Sequence, residues 1–214
     1  MRVLSREDWE YLVPLRLDFY TYDDFMQGLA AFPGICSDRG EGYAHLALDE
    51  VCEREMATLF AHFSQEVGAH WSGTGGIQEE WRQSLYLRSE EWCTSPNWAG
   101  DFCNYYPTWD EWSIKDNAYP RRDSSQSYHG RGPLQLSWNY QYGPFSKQLF
   151  GDQFVLLDNP DRIITDGHGV EAWLAAFWFY STPQPPKPSM HEVATGLWMP
   201  NQADLNAGNF AGFG

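Results

Sequence analysis

The chain has 214 residues, 29 acidic against 14 basic side chains for a formal net charge of −15, and 17% aromatic residues, including 11 Trp and 12 Tyr. That length gives one domain with a substantial core, 1–214, and there is no internal repeat. The charge excludes the basic footprint that nucleic acid or an anionic membrane surface demands, so a neutral or cationic partner is expected. No apolar run approaches the roughly 20 residues that span a bilayer, and the N-terminus lacks a signal-peptide pattern. The chain therefore either stays inside the cell or is a mature form. Four cysteines allow three pairings, and nearness along the chain favours Cys36 with Cys52 and Cys93 with Cys103. Without a Cys-x-x-Cys pair or a histidine at ligand spacing, disulfides are expected rather than a metal site. Secretion with the leader removed follows from that expectation.

In chain order, Ser5 with Asp8 and Thr21 with Asp24 are helix-start pairs. The first helix stops at Pro14, and the second, from Tyr22 to about Ala31, runs into Pro33 and Gly34. In the next helix Cys52, Met56, Leu59, Phe60 and Phe63 form one apolar stripe. Glu66, three residues beyond Phe63, continues that stripe by spacing and sits in the last turn before Gly68. Burial and the negative end of the helix dipole would both disfavour its ionised form, which suits a proton donor. Trp71 to Gly76 is a glycine-rich loop. Glu79 to Glu91 is a short helical or irregular segment with Trp81, Leu85 and Trp92 inward, and Glu90 or Glu91 is placed to face Glu66. From Cys93 to Asp123 the chain turns loop-like and aromatic, with Trp98, Tyr105, Tyr106, Trp109, Trp112 and Tyr119, as binding loops do.

Tyr128 to Phe145, YHGRGPLQLSWNYQYGPF, holds three glycines, two prolines and five aromatic side chains in eighteen residues. Such a mixture of amides and rings suits the gripping of a hydroxyl-rich ligand. A brief helix from Pro144 to Phe150 follows, then a strongly apolar one, Gly169 to Tyr180, ended by Pro183, Pro185, Pro186 and Pro188. Strand signals are nearly absent, so the fold class is mainly α with long loops on one side.

These residues resemble the family 19 glycoside hydrolases, the plant-type chitinases. The likeness rests on HGRGPLQLSWNYQYGPF with FYTYDDF at Phe19 to Phe25, AFPG at Ala31 to Gly34, FAHFSQEVG at Phe60 to Gly68, WRQSLYLRSE at Trp81 to Glu90 and PQPPKPS at Pro183 to Ser189. The resemblance implies a lysozyme-like helical domain with long loops around a substrate cleft. It implies Glu66 as general acid, Glu90 as general base and Ser137 as a holder of the attacking water. Gln135, Tyr140 and Lys187 fall on substrate-gripping positions. Gln65, where the family often has His, and Gln141, where it has Asn, are counted with them. Inverting hydrolysis needs carboxyls about 6.5–9.5 Å apart. The family normally continues past the GFG string into an Asn-Gly-Gly segment and a last helix, whereas this sequence ends at Gly214, so the expectation is either a trimmed chain or a reduced or lost activity.

The implied activity is endochitinase action on β-1,4-linked N-acetylglucosamine in chitin or chitooligosaccharide by a secreted monomer, with no cofactor. Two other readings are carried: a lytic enzyme acting on peptidoglycan, and a chitinase-like protein that binds without cutting.

Overall fold

The structure, a computed structural model, describes residues 4–94, 103–105, 119–120, 122–123, 125–185 and 187–208, the side chains of Glu91 and Thr94 excepted. Trp98, Tyr106, Trp109 and Trp112 of the expected binding loop, and the GFG string, lie outside the described residues. Among those residues the architecture is helical, with isolated bridges and no strands.

The first two helices form where local chemistry dictates. Helix α1 (Arg6–Leu12) begins at Ser5, whose hydroxyl accepts from the Asp8 amide while the Asp8 carboxylate takes the Ser5 amide. Helix α2 (Tyr22–Ala30) begins at Thr21, whose side chain accepts from the Asp24 amide. Each such cap is worth about 1 kcal/mol by satisfying amides that the first turn leaves open. Helix α3 (Leu48–Val67) is the longest, and Cys52, Met56, Leu59, Phe60 and Phe63 are all buried along it. A four-residue turn of helix, α4 (Glu91–Thr94), follows the irregular segment 80–90. Helix α5 (Asn139–Phe150) starts earlier than the sequence suggested. Pro144 lies inside it at the cost of one backbone bond, and the start is set by Trp138 at φ 70. Gly151, left-handed at φ 74, ends it. Helix α6 (Phe154–Asp158) packs against α5 and leads through a 3-10 turn at Pro160–Ile164 to α7 (Gly169–Ser181). Helices α8 (Met190–Ala194) and α9 (Gln202–Ala207) complete the described chain.

Helix α7 organises the interior. One side packs on α2, where Trp173 meets Phe25 edge-on at 5.1 Å and also touches Trp9, Tyr20 and Phe63. The other side, through Ala175 and Trp178, joins a second cluster with Tyr128, Leu136, Tyr142, Phe145 and Leu156. Burying each such aromatic removes about 150–250 Å2 from water, so these two clusters dominate the stabilisation of the fold. Both disulfides pair as nearness suggested, Cys36 with Cys52 and Cys93 with Cys103. No helix of the described residues is long and apolar enough to cross a membrane.

Two inward placements are corrected. Trp81 and Trp92 are each about half exposed, whereas Leu85, Gln83 and Ser84 between them are fully buried. The segment has no helical period across these positions: Glu80–Arg82 is one 3-10 turn and Leu85 takes φ 60, so spacing along the chain does not predict direction.

Candidate active site

The foot of α3 and the segment after it are sewn together by backbone bonds. Val67 O accepts both the Tyr86 amide at 2.8 Å and the Leu87 amide at 3.1 Å, and the Ala69 amide donates to Gln83 O at 3.2 Å. Gln83, wholly buried, spends its side-chain amide on Trp71 O at 2.8 Å and Ile77 O at 3.0 Å, which fastens the intervening glycine-rich loop. From Leu87 the chain passes into a ladder with the Gly-rich stretch. The Gly132 amide donates to Arg88 O at 2.9 Å, the Glu90 amide to Gly130 O at 3.1 Å, and Ser89 bridges Arg131. Those contacts carry Glu90 to the same cleft as Glu66.

The cleft has a volume of about 220 Å3 and is lined by Glu66, Glu90, Trp92, Tyr105, Gly130, Gln135 and Ser137. Glu66 is in the last turn of α3 as expected, but it is not part of the buried stripe: Val67 takes that place, and the Glu66 carboxyl is open to cleft solvent. The two positions straddle the stripe, at three and four residues past Phe63, and the Tyr86–Leu87 segment covers Val67's side. Even so, partial burial first, and then the negative charge of Glu90, push the Glu66 carboxyl above the usual carboxylate range, while His70 opposes the shift. Gly68 ends α3 in an extended conformation at φ −79, so no left-handed cap requires it. Close approach does, because a Cβ there would lie 2.2 Å from Ser64 O.

Glu90 is held by two donors of different kinds. Its Oε1 accepts from the Tyr105 hydroxyl at 2.7 Å, and its Oε2 accepts from the Gly130 amide at 2.7 Å. Each carboxylate oxygen keeps a further lone-pair direction for a water. Gly130 itself belongs to a tight loop in which Arg131 and Leu136 exchange backbone bonds of 3.1 and 2.9 Å, and Gln135, at φ 50, folds its side-chain amide onto Gly132 O at 3.0 Å. Arg131 is buried beneath this loop, donating to Asp161 at 2.7 Å, to His129 O at 2.9 Å and to the Tyr142 hydroxyl at 3.1 Å.

His129 is buried, and burial and then Arg131 push its pKa down to about 4, against the opposing pull of Asp161. Because the Ser127 hydroxyl donates to Cys103 O, the 2.9 Å contact between Ser127 and His129 Nδ1 has the ring as donor. The neutral Nδ1–H tautomer follows. Of the six non-glycine residues with left-handed φ among the described residues, Tyr105 and Gln135 line this cleft, Trp138 meets the Tyr105 ring, and His70 is near enough for its charge to act on Glu66. Strained backbone of this kind persists only where neighbours over-determine it, so the site is rigidly built.

The sequence-expected residues therefore divide. Glu66, Glu90, Ser137 and Gln135 are gathered around one cleft. Gln65 is exposed on the last turn of α3 beside Glu66. Tyr140 is half-buried, its ring stacked on Trp138 at 5.8 Å. Gln141 is also half-buried and turns its Oε1 away from solvent. Lys187 is exposed on a turn closed by mutual backbone bonds with Gln184 of 2.9 and 3.1 Å. None of these four is among the residues lining the described cleft. Sequence reasoning put Tyr105 in an expected binding loop and Gly130 in the expected ligand-gripping stretch, but it named neither as a partner of the carboxyls, and it turned Trp92 inward rather than to the cleft.

A helical domain whose cleft opposes a carboxyl biased towards its protonated form and a carboxylate fixed as acceptor has the build of a glycoside hydrolase. Residues 13–214 match the family described as Chitinase class I, and the chain belongs to that family, the family 19 glycoside hydrolases. It is 35% identical over 196 residues to the endochitinase of Carica papaya, covering 92% of this chain and 68% of that protein. It is 36% identical to the basic endochitinase of Vitis vinifera, covering 92% and 52%. It is also 35% identical over 219 residues to inactive chitinase-like protein 1 of Hevea brasiliensis, covering 99% and 60%. The chain thus spans between about half and two thirds of the length of these relatives. Among solved structures, chitinase C of Streptomyces griseus superposes with a TM-score of 0.63 at 26% identity, covering 91% of this chain and 74% of that one. The class IV chitinase of Zea mays shares the fold with a TM-score of 0.55 at 24% identity, covering 97% and 88%.

Proposed function

We propose that the chain is an inverting endochitinase that hydrolyses β-1,4 linkages between N-acetylglucosamine units. The observation that carries this reading is the pairing, in one cleft, of a Glu66 carboxyl raised by burial and by its neighbour's charge with a Glu90 carboxylate held by two donors. Protonated Glu66 gives its proton to the glycosidic oxygen as the C–O bond breaks. Glu90 takes a proton from a water that attacks the anomeric carbon from the opposite face, and Ser137, on the cleft wall, holds that water with it. Each carboxyl then re-equilibrates with solvent through the open mouth. Gln135 meets an acetamido or hydroxyl group, Trp92 offers its ring face to a sugar, and Gln65, Tyr140, Gln141 and Lys187 are assigned to the longer substrate path. Two disulfides favour an oxidising, extracytoplasmic location, and the chain is taken to act there as a secreted monomer.

Release of reducing ends from chitooligosaccharides tests the activity, and proton NMR of the first product tests the stereochemistry. The α anomer is expected, and a β anomer would refute inversion. Glu66→Gln should lower kcat by about 10²–10⁴ with substrate binding kept. A second reading, binding without cutting, is favoured by the likeness to the inactive Hevea brasiliensis protein. Tight oligosaccharide binding with no reducing ends from the unaltered chain would establish it instead. Turnover of purified peptidoglycan but not of chitin would mark a lytic enzyme.

A further inference from the structure

A general base in an open cleft faces a problem of aim. Glutamate has three rotatable side-chain bonds, and with the Gly130 amide alone on Oε2 the carboxylate of Glu90 would still pivot about that one contact. The second oxygen is held at 2.7 Å by the hydroxyl of Tyr105. That tyrosine is itself fixed from several directions. Two residues before it, Cys103 is bonded to Cys93, which lies in α4, the turn of helix that begins directly after Glu90. The carbonyl of Cys103 accepts from the Ser127 hydroxyl, and the carbonyl of Asn104 accepts from the Tyr128 amide at 2.9 Å. The ring of Tyr105 meets Trp138 edge-on at 5.2 Å, and its own backbone is held at φ 48. A phenol on an exposed loop would need none of this.

We propose that Tyr105 is a positioning residue for Glu90, and that the Cys93–Cys103 bridge serves to deliver it, so that the disulfide acts on the aim of the general base. The inference rests on Glu90 being that base. The geometry closes a short circuit: Glu90 leads into α4, α4 through its cysteine holds Cys103, and Cys103 presents the tyrosine that returns to Glu90. Burial first, and then the hydrogen bond and charge of Glu90, raise the Tyr105 hydroxyl well above the ordinary phenol range. It therefore stays a donor through the working pH range and does not compete for the proton of the attacking water. Misplacement of a reacting group by about 1 Å costs up to about 10²-fold in rate, and a pivoting base loses rate without losing substrate.

The test compares the full chain with Tyr105→Phe, which keeps the ring against Trp138 and removes only the hydroxyl. On a soluble chitooligosaccharide, kcat should fall about 10- to 100-fold with KM within about twofold and an unchanged melting temperature. The paired change Cys93→Ser with Cys103→Ser should lower kcat similarly. Combined with Tyr105→Phe it should add little, because both act through one bond. Crystals of Tyr105→Phe should show the Glu90 carboxylate in more than one rotamer. Unchanged kcat in Tyr105→Phe overturns the proposal, and so does a raised KM with kcat retained, which would make Tyr105 a sugar contact. If the unaltered chain turns over no substrate, the hydrolase reading fails by itself. The Glu90 rotamers then decide the positioning claim, a single unaltered rotamer overturning it.

Discussion

Glu55 is fully buried in α3, and replacing it with Gln isolates the value of one charge in the interior. Its Oε2 accepts the Cys36 amide at 2.7 Å and its Oε1 the Nδ1–H of His191 at 2.6 Å, while His191 Nε2 meets Asp38 at 3.1 Å. The cluster joins α3, the turn before Cys36 and α8. Gln fits the same volume, but it points an NH2 group at one of two donors. One charge-assisted bond, worth about 1.5–3 kcal/mol, is lost and a buried donor is left unmet at about 1–3 kcal/mol. With partial relaxation the cost should be about 2–4 kcal/mol, a large share of the about 5–15 kcal/mol typical of a folded domain. At about 2–4 °C per kcal/mol for a chain of this size, the melting temperature should drop by about 4–16 °C.

The pH dependence has a definite sign. Burial opposes the charged His191 ring, but the hydrogen bonds and charges of Glu55 and then Asp38 outweigh it and raise the ring above its ordinary value of 6.5. A raised folded value means stabilisation fully present below pH 6.5 and lost as the pH climbs through the folded value. Urea unfolding followed by tryptophan fluorescence at about pH 6 and about pH 9 should therefore show a wide gap between the two proteins at the lower pH and a narrower one at the higher. Coincident curves at about pH 6, or a gap that widens on raising the pH, would refute this account of the cluster.

Three other outcomes follow from the structure. Glu90→Gln removes the like charge beside Glu66, so the titration midpoint of Glu66, read by carbon NMR of labelled glutamate, should move down; an unmoved midpoint would leave burial as the sole cause. Gly130→Ala places a Cβ 2.7 Å from Gln135 Oε1 and 3.0 Å from Gln135 Cβ, so Gln135 must swing out of its place in the cleft. KM on chitooligosaccharides should rise several-fold with about 1 kcal/mol or more of destabilisation, and a wild-type KM would show that Gln135 does not touch substrate. The net charge of −15 sets this chain apart from relatives named as basic endochitinases. Hydrolysis of partly deacetylated, cationic chitin should slow several-fold as salt rises from about 20 to about 300 mM while neutral oligosaccharides are unaffected, and equal salt dependence would argue against long-range attraction.

What the sequence disclosed tracks how local its causes are. The caps at Ser5 and Thr21 depend on residues three apart, and both helices start where those pairs stand. The α3 stripe from Cys52 to Phe63 is equally local. Its end is not: whether Glu66 or Val67 turns inward depends on the Tyr86–Leu87 segment, which arrives from outside the helix. Glu55 lies on the same buried side next to Met56, yet its main partner His191 is 136 residues away, so no spacing rule announces it. Glu90 was legible as a carboxylate near the end of a motif. The Tyr105 and Gly130 donors that hold it come from two other stretches of chain that only the ladder and the disulfide bring together.

The bond from Ala69 to Gln83 O, next to the double acceptance at Val67 O, pinches off residues 70–82 as a closed excursion from the path between the two glutamates. Inserting or deleting residues at its tip leaves the spacing of Glu66 and Glu90 untouched. Changes of length in that excursion are thereby uncoupled from the cleft that the two carboxyls share.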